Sequence, residues 1–479
     1  MSSAPDATAE FHLLLAGPEQ GDEALFEPDS HALELLPPIA PMPTPQSHLG
    51  DDGVDSNELA AQRWGLVLPG GQDMEPILRE LEPLLKLRER QQRAPVRRYH
   101  VPPGLQGPAV HSWYQNSYEF DGTAELERPR YLLMIGGIDQ LPLELQQVLS
   151  THAWLGRLAF DRVEDYGHYA RKVCRWAEAS GQREAGAVFF SVRDGSRATQ
   201  QGHPGLVLPC YEQMRTLKDS GRLPLAELLG PDDVGGAPEE FLAAAAKARP
   251  TVLLSMSHGR GAPKEGWASQ DDQLSHQGAM RFGLGRMVSG KDVQACSFLP
   301  GGFWLYFACF GAGTPAVSSY GTWLELLRTK GFSREQIDRV VRTIEGPAPR
   351  PFMAALPQRV LANPKGPLGV IAHVDLTWSY AFRDPQDPKL SRAARFSEPL
   401  RLLASGTRVG IAAKKLALAA SAVENRLVDM FAWRERGRQV DLAQLGHQWM
   451  LRQDLRSFIL LGDPAARLPL RPDTSGAPF

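Results

Sequence analysis

The chain has 479 residues, of which 43% are hydrophobic and 22% are charged, as is typical of a globular protein with one or two hydrophobic cores. Its net charge is −3, and its arginines are scattered without forming a basic stripe interleaved with aromatic residues, so we expect no nucleic-acid partner. Four widely spaced cysteines without a CxxC pair argue against a zinc site or a disulfide framework and favour the cytoplasm, and the lack of an apolar run of about 18 residues predicts no membrane span.

The chain begins with an acidic, proline-rich segment, which we place at residues 1–61. Residues 1–60 contain twelve Asp and Glu but no Lys or Arg, and the proline-rich stretch Leu36–Pro45 cannot hold a regular helix. We expect the segment to be mostly disordered. It is either a solvated acidic tail or a pro-segment that lies over the more basic remainder of the chain as a substrate mimic.

Residues 62–181 are predicted to form a small N-terminal α/β subdomain. Short apolar runs indicate strands, and apolar residues at helical spacing indicate helices. The predicted strands are Gly65–Pro69, Arg130–Gly137 and Ala153–Asp161, and the predicted helices are Met74–Arg90 and Val163–Ser180.

Residues 182–479 contain a second and longer α/β series. Its predicted strands are Ala187–Val192, Thr251–Met256, Phe303–Ala308, Gly366–His373 and Ser457–Leu461, and its predicted helical stretches are Glu239–Ala248 and Leu400–Asn425. Because these strands are apolar throughout and are separated by helices, we expect an α/β fold with a mostly parallel sheet that is covered on both faces.

Two of these strands end in residues that can carry chemistry. Leu253–Ser257 leads into His258 and Gly259, and Leu305–Ala308 leads into Cys309. Ligands of open parallel sheets bind beyond the carboxyl ends of the strands. We therefore expect His258 and Cys309 to face one crevice.

A histidine and a cysteine in one crevice form an activated nucleophile. The thiolate is the reactive form of cysteine, and imidazole is well suited to take its proton near neutral pH. The backbone N–H groups of Gly259 and Cys309 are candidate donors to the oxyanion that forms during acyl transfer. Taken singly, a cysteine after apolar residues or a histidine before glycine is more often structural; the joint pattern favours catalysis.

Other residues compete for these roles. His276 lies in the long polar segment 260–300, which we expect to form a loop over the cleft. His373 ends an apolar strand but is followed by valine, so we rank it below His258 as the base. Cys296 lies in an irregular polar stretch and is a poor candidate for the nucleophile.

At the histidine and the cysteine, the sequence resembles the caspase-like (clan CD) peptidases, which include caspases, gingipains and bacterial CHAT domains. The matching motifs are Ser257-His258-Gly259 and Ala308-Cys309-Phe310-Gly311. Further fragments resemble the gingipain branch, namely Tyr131–Gly137 with Gly156–Leu158, Gly369–Asp375 with Trp378, and Phe458–Pro464. The resemblance spans roughly residues 62–470. It implies a caspase-like, mostly parallel six-stranded sheet with helices on both faces at residues 182–479, ending in a C-terminal helix and strand.

The resemblance also implies an activity, a cysteine endopeptidase that cleaves protein substrates through a His258–Cys309 dyad and a thioester, with no metal or other cofactor. The loop after the first strand of the catalytic subdomain is then expected to contribute to the specificity pocket. In that loop Asp194 would favour a basic residue before the cleaved bond, and Arg193 would favour an acidic one. His373 and Trp378 are expected to line the substrate cleft.

Two other classes of function remain open at this point. One is a catalytically inert caspase-like scaffold that binds partners. The other is a nucleotide-binding enzyme, although the glycine turns at Gly136–Gly137 and Gly311–Gly313 complete neither a GxGxxG nor a GxxxxGK[ST] motif. If the chain is a peptidase, the resemblance suggests a regulated bacterial defence or cell-death protease that acts on an effector such as a gasdermin.

Overall fold

The computed structural model of the chain describes residues 11–12, 25–26, 54–120, 122–179, 184–247, 249–294, 296–329, 334–384 and 391–470. Most of the segment predicted to be disordered, residues 1–61, therefore lies outside the described residues. Among the described residues, no helix combines the length and the apolar character needed to cross a lipid bilayer.

The strands and helices alternate along most of the chain. In chain order the strands are β1 (Phe11–His12), β2 (Leu25–Phe26), β3 (Trp64–Pro69), β4 (Arg97–Val101), β5 (Tyr131–Ile135), β6 (Trp154–Leu158), β7 (Ala185–Ser191), β8 (Leu225–Leu229), β9 (Thr251–Met256), β10 (His258–Gly259), β11 (Met280–Arg281), β12 (Met287–Val288), β13 (Phe303–Phe307), β14 (Gly313–Thr314), β15 (Phe352–Met353), β16 (Gly369–His373) and β17 (Phe458–Gly462). The α-helices are Leu59–Gln62, Glu75–Gln92, Pro108–Trp113, Leu143–Leu149, Val163–Glu178, Arg197–Gly202, Leu208–Asp219, Pro238–Ala245, Gln270–His276, Gly290–Gln294, Gly321–Thr329, Arg334–Ile344, Ala355–Ala362, Ala394–Ala404, Val409–Glu435 and Leu442–Arg456.

The centre of the fold is a ten-stranded sheet with the strand order β4-β3-β5-β6-β17-β16-β13-β9-β7-β8. The first five strands in this order run parallel to one another, as do the last five, and the two halves meet where β16 pairs antiparallel with β17. The predicted α/β fold with a large, mostly parallel sheet is confirmed. Six of these strands come from residues 182–470 and four from residues 62–181, so both predicted series contribute to one continuous sheet.

Both faces of the sheet are covered. In β5, Tyr131 and Leu133 belong to the large hydrophobic cluster on one face, whereas Leu132 and Met134 belong to a second cluster that includes Trp113. Successive side chains of a strand point to opposite faces. The whole strand is therefore apolar because both of its faces are buried, as the sequence predicted.

The strands beside the candidate site lie where the sequence predicts them, and the two edge strands do not appear in the prediction. β9 has the predicted bounds, and β13 is one residue shorter than predicted. The edge strand β4 begins with Arg97 and Arg98 and alternates between exposed and buried residues toward its end, so it contains no apolar run. Edge strands of this kind carry charge where an inner strand carries apolar residues.

The prediction of one helical stretch at Leu400–Asn425 is wrong. Two helices, Ala394–Ala404 and Val409–Glu435, cover this region. Gly406 lies between them with φ of +83°, and its N–H donates to the carbonyl oxygen of Leu403 at 2.9 Å. A glycine in the left-handed conformation ends a helix in this way, and the chain turns before the next helix begins.

The polar segment 260–300, predicted as a loop, has structure of its own. β11 pairs antiparallel with β10 and with β12, which gives a three-stranded ribbon that begins directly after β9. The helix Gln270–His276 connects β10 to β11. The ribbon places part of this segment beside the carboxyl end of β9, where the candidate histidine lies.

Candidate active site

His258 and Cys309 lie at the same edge of the sheet because β9 and β13 pair in parallel register. Met256, the last residue of β9, pairs with Phe307, the last residue of β13, and the N–H of Ser257 donates to the carbonyl oxygen of Phe307 at 3.2 Å. Each candidate residue follows the end of its strand by two positions. Both therefore lie at the carboxyl edge of one parallel half of the sheet, where ligands of such sheets bind.

Gly259 brings the two chain segments into direct backbone contact. A Cβ atom placed on Gly259 would lie 1.7 Å from the backbone oxygen of Cys309 and 3.1 Å from its nitrogen. A residue with a side chain does not fit in this space. The backbone that follows the histidine is thus held against the backbone of the cysteine.

The turn after Cys309 is strained and is held in place by hydrogen bonds. Phe310 has a φ of +55°, which residues other than glycine seldom adopt. Its N–H donates to the carbonyl oxygen of Asp375 at 2.8 Å, and the N–H of Ala312 donates to that of His373 at 2.8 Å. Backbone outliers that the surrounding structure enforces cluster at functional sites, so this turn is a reasonable place for a nucleophile.

The sulfur of Cys309 is buried and is held by the backbone of Thr377. The Thr377 N–H donates to Sγ at 3.2 Å, and Sγ lies 3.6 Å from the Thr377 carbonyl oxygen. Burial raises the pKa of the Cys309 thiol well above its ordinary value; the Thr377 N–H opposes this effect, and the carboxyl groups of Asp454 and Asp375 reinforce it. In this conformation the thiol is therefore protonated at neutral pH.

The imidazole of His258 is oriented by the loop that follows β7. Its Nε2 lies 2.7 Å from Ser196 Oγ and 3.7 Å from Asp194 Oδ2. Asp194 in turn accepts hydrogen bonds from the Ser196 N–H at 3.1 Å and from Thr199 Oγ1 at 2.7 Å. Burial alone would raise the pKa of the Asp194 carboxyl, but His258, Thr199 and Ser196 together outweigh burial and hold that pKa below its ordinary value. Asp194 therefore remains a carboxylate beside the imidazole.

Cys309 and His258 are each hydrogen-bonded to a different neighbour in this conformation. Cys309 Sγ accepts a hydrogen bond from Thr377, whereas His258 Nε2 is bonded to Ser196. The structure thus brings the two residues to one edge of the sheet and joins them through the Gly259 contact.

The two charged residues predicted for the specificity loop have different surroundings. Arg193 lies on the surface, where it forms an ion pair with Asp232, and its guanidinium lies 3.3 Å from the carbonyl oxygen of Pro231. Asp194 is directed toward His258. Their predicted roles in specificity remain predictions, while the position of Asp194 adds an orienting role that was not predicted.

Ser196 and Thr199 are further residues of the site that were not predicted. Ser196 is the N-cap of the helix Arg197–Gly202, and its Oγ accepts a hydrogen bond from the Thr199 N–H at 3.4 Å. The sequence signal that could have found them is a serine directly before a helix in the loop after a buried strand. Such a signal predicts a helix cap, and only the fold shows that the same hydroxyl reaches His258.

His373 and Trp378 are both 0% exposed and lie in the wall behind the sulfur. His373 Nδ1 lies 3.1 Å from the carbonyl oxygen of Asp375, and its Nε2 lies 3.0 Å from that of Asp454. The Trp378 N–H donates to Asp454 Oδ1 at 3.0 Å. A substrate would reach either side chain only if this wall opened, so the prediction that they line the cleft stays a prediction.

The remaining candidates have local partners. His276 Nδ1 lies 2.8 Å from Asp272 Oδ1 on the same helix. Cys296 is half-buried, and its Sγ lies 3.3 Å from the carbonyl oxygen of Asp292. Burial raises the pKa of the Cys296 thiol, so it has no activated thiolate.

Comparisons with known proteins give structural neighbours only. No family model and no curated protein matches the chain. A solved structure described as a protease is 11% identical, with 85% of this chain and 78% of that chain covered and a TM-score of 0.49. Gingipain R, an Arg-specific cysteine proteinase, is 13% identical, with 85% and 78% covered and a TM-score of 0.46.

A third similar structure is the separase–securin complex of Saccharomyces cerevisiae, which is 10% identical, with 74% of this chain and 17% of that chain covered and a TM-score of 0.34. Gingipain is the branch whose motifs the sequence resembles, and it is among these neighbours. Because the identities are this low, the chemistry of the chain has to be inferred from its own residues.

Proposed function

We propose that the protein is a cysteine endopeptidase in which Cys309 is the nucleophile and His258 is the general base. The observation that carries the proposal is their placement at the carboxyl ends of adjacent, in-register strands, with Gly259 against the backbone of Cys309. The hydroxyl of Ser196 and the carboxylate of Asp194 orient the imidazole of the base. A thiol, a base and an orienting group are the parts of an activated nucleophile.

The first half of the proposed reaction forms a thioester. With the Nε2 proton of His258 directed at Ser196, the lone pair on Nδ1 can take the Cys309 proton while Sγ bonds to the carbonyl carbon of the substrate. The carbonyl π electrons move onto oxygen and return as the C–N bond breaks. The leaving nitrogen takes the proton from His258, so that a free amine departs and the acyl group stays on sulfur.

The second half consumes one water molecule. Water bonds to the thioester carbon and gives a proton to His258, and the C–S bond then breaks. Cys309 recovers its proton from His258, and the product leaves as a carboxylic acid. Each turn therefore hydrolyses one peptide bond and restores the protein.

The N–H groups of Gly259 and Cys309 are the proposed donors to the oxyanion. Arg260 donates its N–H to the carbonyl oxygen of Ala279 at 2.9 Å, across the ribbon. Backbone N–H groups of successive strand residues point to opposite sides, so the N–H of Gly259 points away from β11, on the same side as the N–H of Ser257, which donates to the carbonyl oxygen of Phe307 at 3.2 Å. A donor fixed in the backbone needs little reorganisation during the reaction.

The proposal includes a resting state. Because burial raises the pKa of the Cys309 thiol, a free thiolate is scarce at neutral pH, and deprotonation has to be coupled to proton transfer to His258. Because Sγ accepts a hydrogen bond from the Thr377 N–H, the sulfur also has to leave that partner. Substrate or an activator would supply this step.

The direct test is covalent capture of Cys309 by substrate. The purified full chain is incubated with a library of peptides and with peptide acyloxymethyl ketones, and adducts are located by mass spectrometry. We expect peptide cleavage and an adduct on Cys309, both lost in Cys309→Ala and in His258→Ala and both retained in a Cys296→Ala control. Cleavage that survives Cys309→Ala would disprove the assignment.

The burial of Cys309 favours a second candidate, an inert scaffold of the same fold that binds partners. A fully buried thiol bonded to Thr377 is also what an inactive relative would show. The same experiment separates the two candidates. A scaffold forms no adduct at Cys309 under any substrate or partner tried, whereas a peptidase with a closed resting state forms one when substrate is present.

The proposal for the biological role rests on the sequence resemblance alone. We propose a regulated protease of the bacterial cytoplasm that acts on an effector such as a gasdermin in defence or cell death. The free state of the four cysteines agrees with a reducing compartment. Incubation with candidate effectors should give a cut that Cys309→Ala abolishes, and effectors left intact by the active enzyme would rule this role out.

A further inference from the structure

A cavity of about 230 Å³ lies beside the candidate histidine, in the ribbon formed by β10, β11 and β12. Its lining contains two arginines and no acidic side chain: Arg260, Gly261, Ala262, Pro263, Arg281, Gly285 and Met287. None of these residues was predicted to have a function, and none takes part in the chemistry described above.

The ribbon places both arginines on the same face as His258. His258 pairs directly with Arg281 across β10 and β11, and cross-strand partners have their Cβ atoms about 5 Å apart on one face. Arg260 follows His258 by two positions, so its side chain projects to that same face. Met287 pairs with Arg281 across β11 and β12 and completes the face. The cavity is therefore one strand away from the proposed general base.

The guanidinium of Arg260 is positioned by neighbours that carry no charge. It lies 5.4 Å from the ring centroid of Trp267, and its Nη1 lies 3.3 Å from Met287 Sδ. A planar guanidinium stacked on an aromatic ring is held in orientation and still presents N–H donors to a ligand.

Arg281 is half-buried and close to the charge of Arg260. Burial lowers the pKa of the Arg281 guanidinium and Arg260 lowers it further, while Asp194 acts in the opposite direction. Asp194 is already engaged by His258, Ser196 and Thr199, so its charge is shared with the imidazole. Arg260 and Arg281 are therefore close enough for their like charges to act on each other, and an anion bound between them would relieve that repulsion.

We propose that this cavity binds the acidic side chain, Asp or Glu, of the substrate residue directly before the cleaved bond. The inference rests on the proposed peptidase function and adds its specificity. Two guanidinium groups match the two oxygens of a carboxylate and repel a basic side chain. Of the two specificities that the sequence left open, this assigns the acidic one, and to Arg260 and Arg281 in place of Arg193.

The test compares peptides that differ only in the residue before the cleaved bond. The full chain is assayed with matched peptides carrying Asp, Glu, Asn, Gln, Lys or Arg at that position, and with a second set in which the acidic residue lies one position further upstream. We expect kcat/KM for Asp or Glu to exceed that for Asn or Gln by roughly 10- to 100-fold, as for loss of a charge-assisted hydrogen bond, and Lys and Arg peptides to be the poorest. This comparison uses the unaltered protein and needs no variant to fold.

A matched pair of variants then assigns the preference to the cavity. Arg281→Gln should reduce kcat/KM for the acidic peptides by roughly 10- to 100-fold and leave the Asn peptide nearly unchanged. Arg286→Gln, on the same ribbon but paired outside the cavity with Glu239, should change neither. Thermal unfolding of both variants checks that they are folded.

The outcomes separate the two proposals. If Cys309-dependent cleavage occurs at equal rates for Asp and Asn, or prefers Lys or Arg, the inference is wrong and the peptidase proposal stands. A preference for acid only at the upstream position likewise overturns this assignment of the cavity. If no peptide is cleaved and no ketone labels Cys309, the peptidase proposal fails and the inference fails with it.

Discussion

Replacement of Gly259 by alanine tests the central contact of the site with one methyl group. The added Cβ would lie 1.7 Å from the backbone oxygen of Cys309, whereas ordinary contact begins at 3.4 Å. The two backbones would therefore have to separate by the difference between these values, about 1.7 Å. The obstructing atom belongs to the backbone, so no rotamer change of a side chain can relieve the overlap.

The size of the effect follows from that displacement. A misplacement of about 1 Å can cost on the order of 100-fold in rate, because reacting groups need near-attack geometry. We therefore expect Gly259→Ala to lower kcat/KM by at least about 100-fold. Overpacking of a closely packed region typically costs about 1–3 kcal/mol, so we also expect a measurable loss in the free energy of unfolding.

The control is Gly236→Ala, because a Cβ at Gly236 would have no heavy atom within 4 Å. The assay measures kcat/KM on the best peptide substrate and unfolding in urea for both variants and the parent chain. Gly236→Ala should match the parent in both measurements. If Gly259→Ala matched Gly236→Ala in activity and stability within experimental error, the Gly259–Cys309 contact would contribute neither to the reaction nor to the stability of the fold.

Three further predictions concern single side chains. Since the pKa of Asp194 is held below the ordinary value of 3.8, its carboxylate stabilises the fold above that pH and loses this effect as the pH falls through the lowered pKa. Asp194→Asn should therefore lower the melting temperature at about pH 6, and the deficit should shrink as the pH falls below 3.8; a deficit that does not change with pH would contradict this. Cys309 should react with iodoacetamide more slowly than the half-buried Cys296 in the absence of substrate, as mass spectrometry of the native protein can show; faster labelling of Cys309 would contradict the closed resting state. Asp463→Ala should lower the free energy of unfolding in urea by about 3–5 kcal/mol, because it leaves the buried guanidinium of Arg88 without the carboxylate of its ion pair. A loss below about 1 kcal/mol would show that the pair is not isolated from water.

The strands that position the candidate site can be predicted because buried strands consist mainly of apolar residues, which form a visible run in the sequence. β9 and β13 have neighbours on both sides and helices on both faces, so every residue in them is buried and most are apolar. β8 lies at the edge of the sheet, and its pattern mixes one buried residue with exposed and half-buried ones. A strand with one paired side and one exposed side is stabilised by its partner strand, which a scan for apolar runs does not detect.

The ribbon could not be predicted for a related reason. β10, β11 and β12 are each two residues long, and the pairing of β10 with β11 joins residues 21 and 23 positions apart, such as His258 with Arg281. Too few residues alternate in any one of them to give a period-2 signal. The pairing is a property of the fold, and so is the cavity with two arginines that depends on it.

The place of Asp194 in the fold follows from the sequence, whereas the direction of its side chain does not. The loop after β7 was predicted to contribute to the specificity pocket, and that role stays a prediction. The loop does reach His258, because β7 pairs in parallel with β9 and its loop begins at the same edge of the sheet. The direction of each side chain depends on the hydrogen bonds that the loop makes, and those from Ser196 and Thr199 turn Asp194 toward the imidazole. A carboxylate in that position orients the base and is not available to form the floor of a basic pocket. Of the two specificities that the sequence left open, this orientation of Asp194 argues against the basic one, in agreement with the acidic specificity that we propose for the cavity beside Arg260 and Arg281.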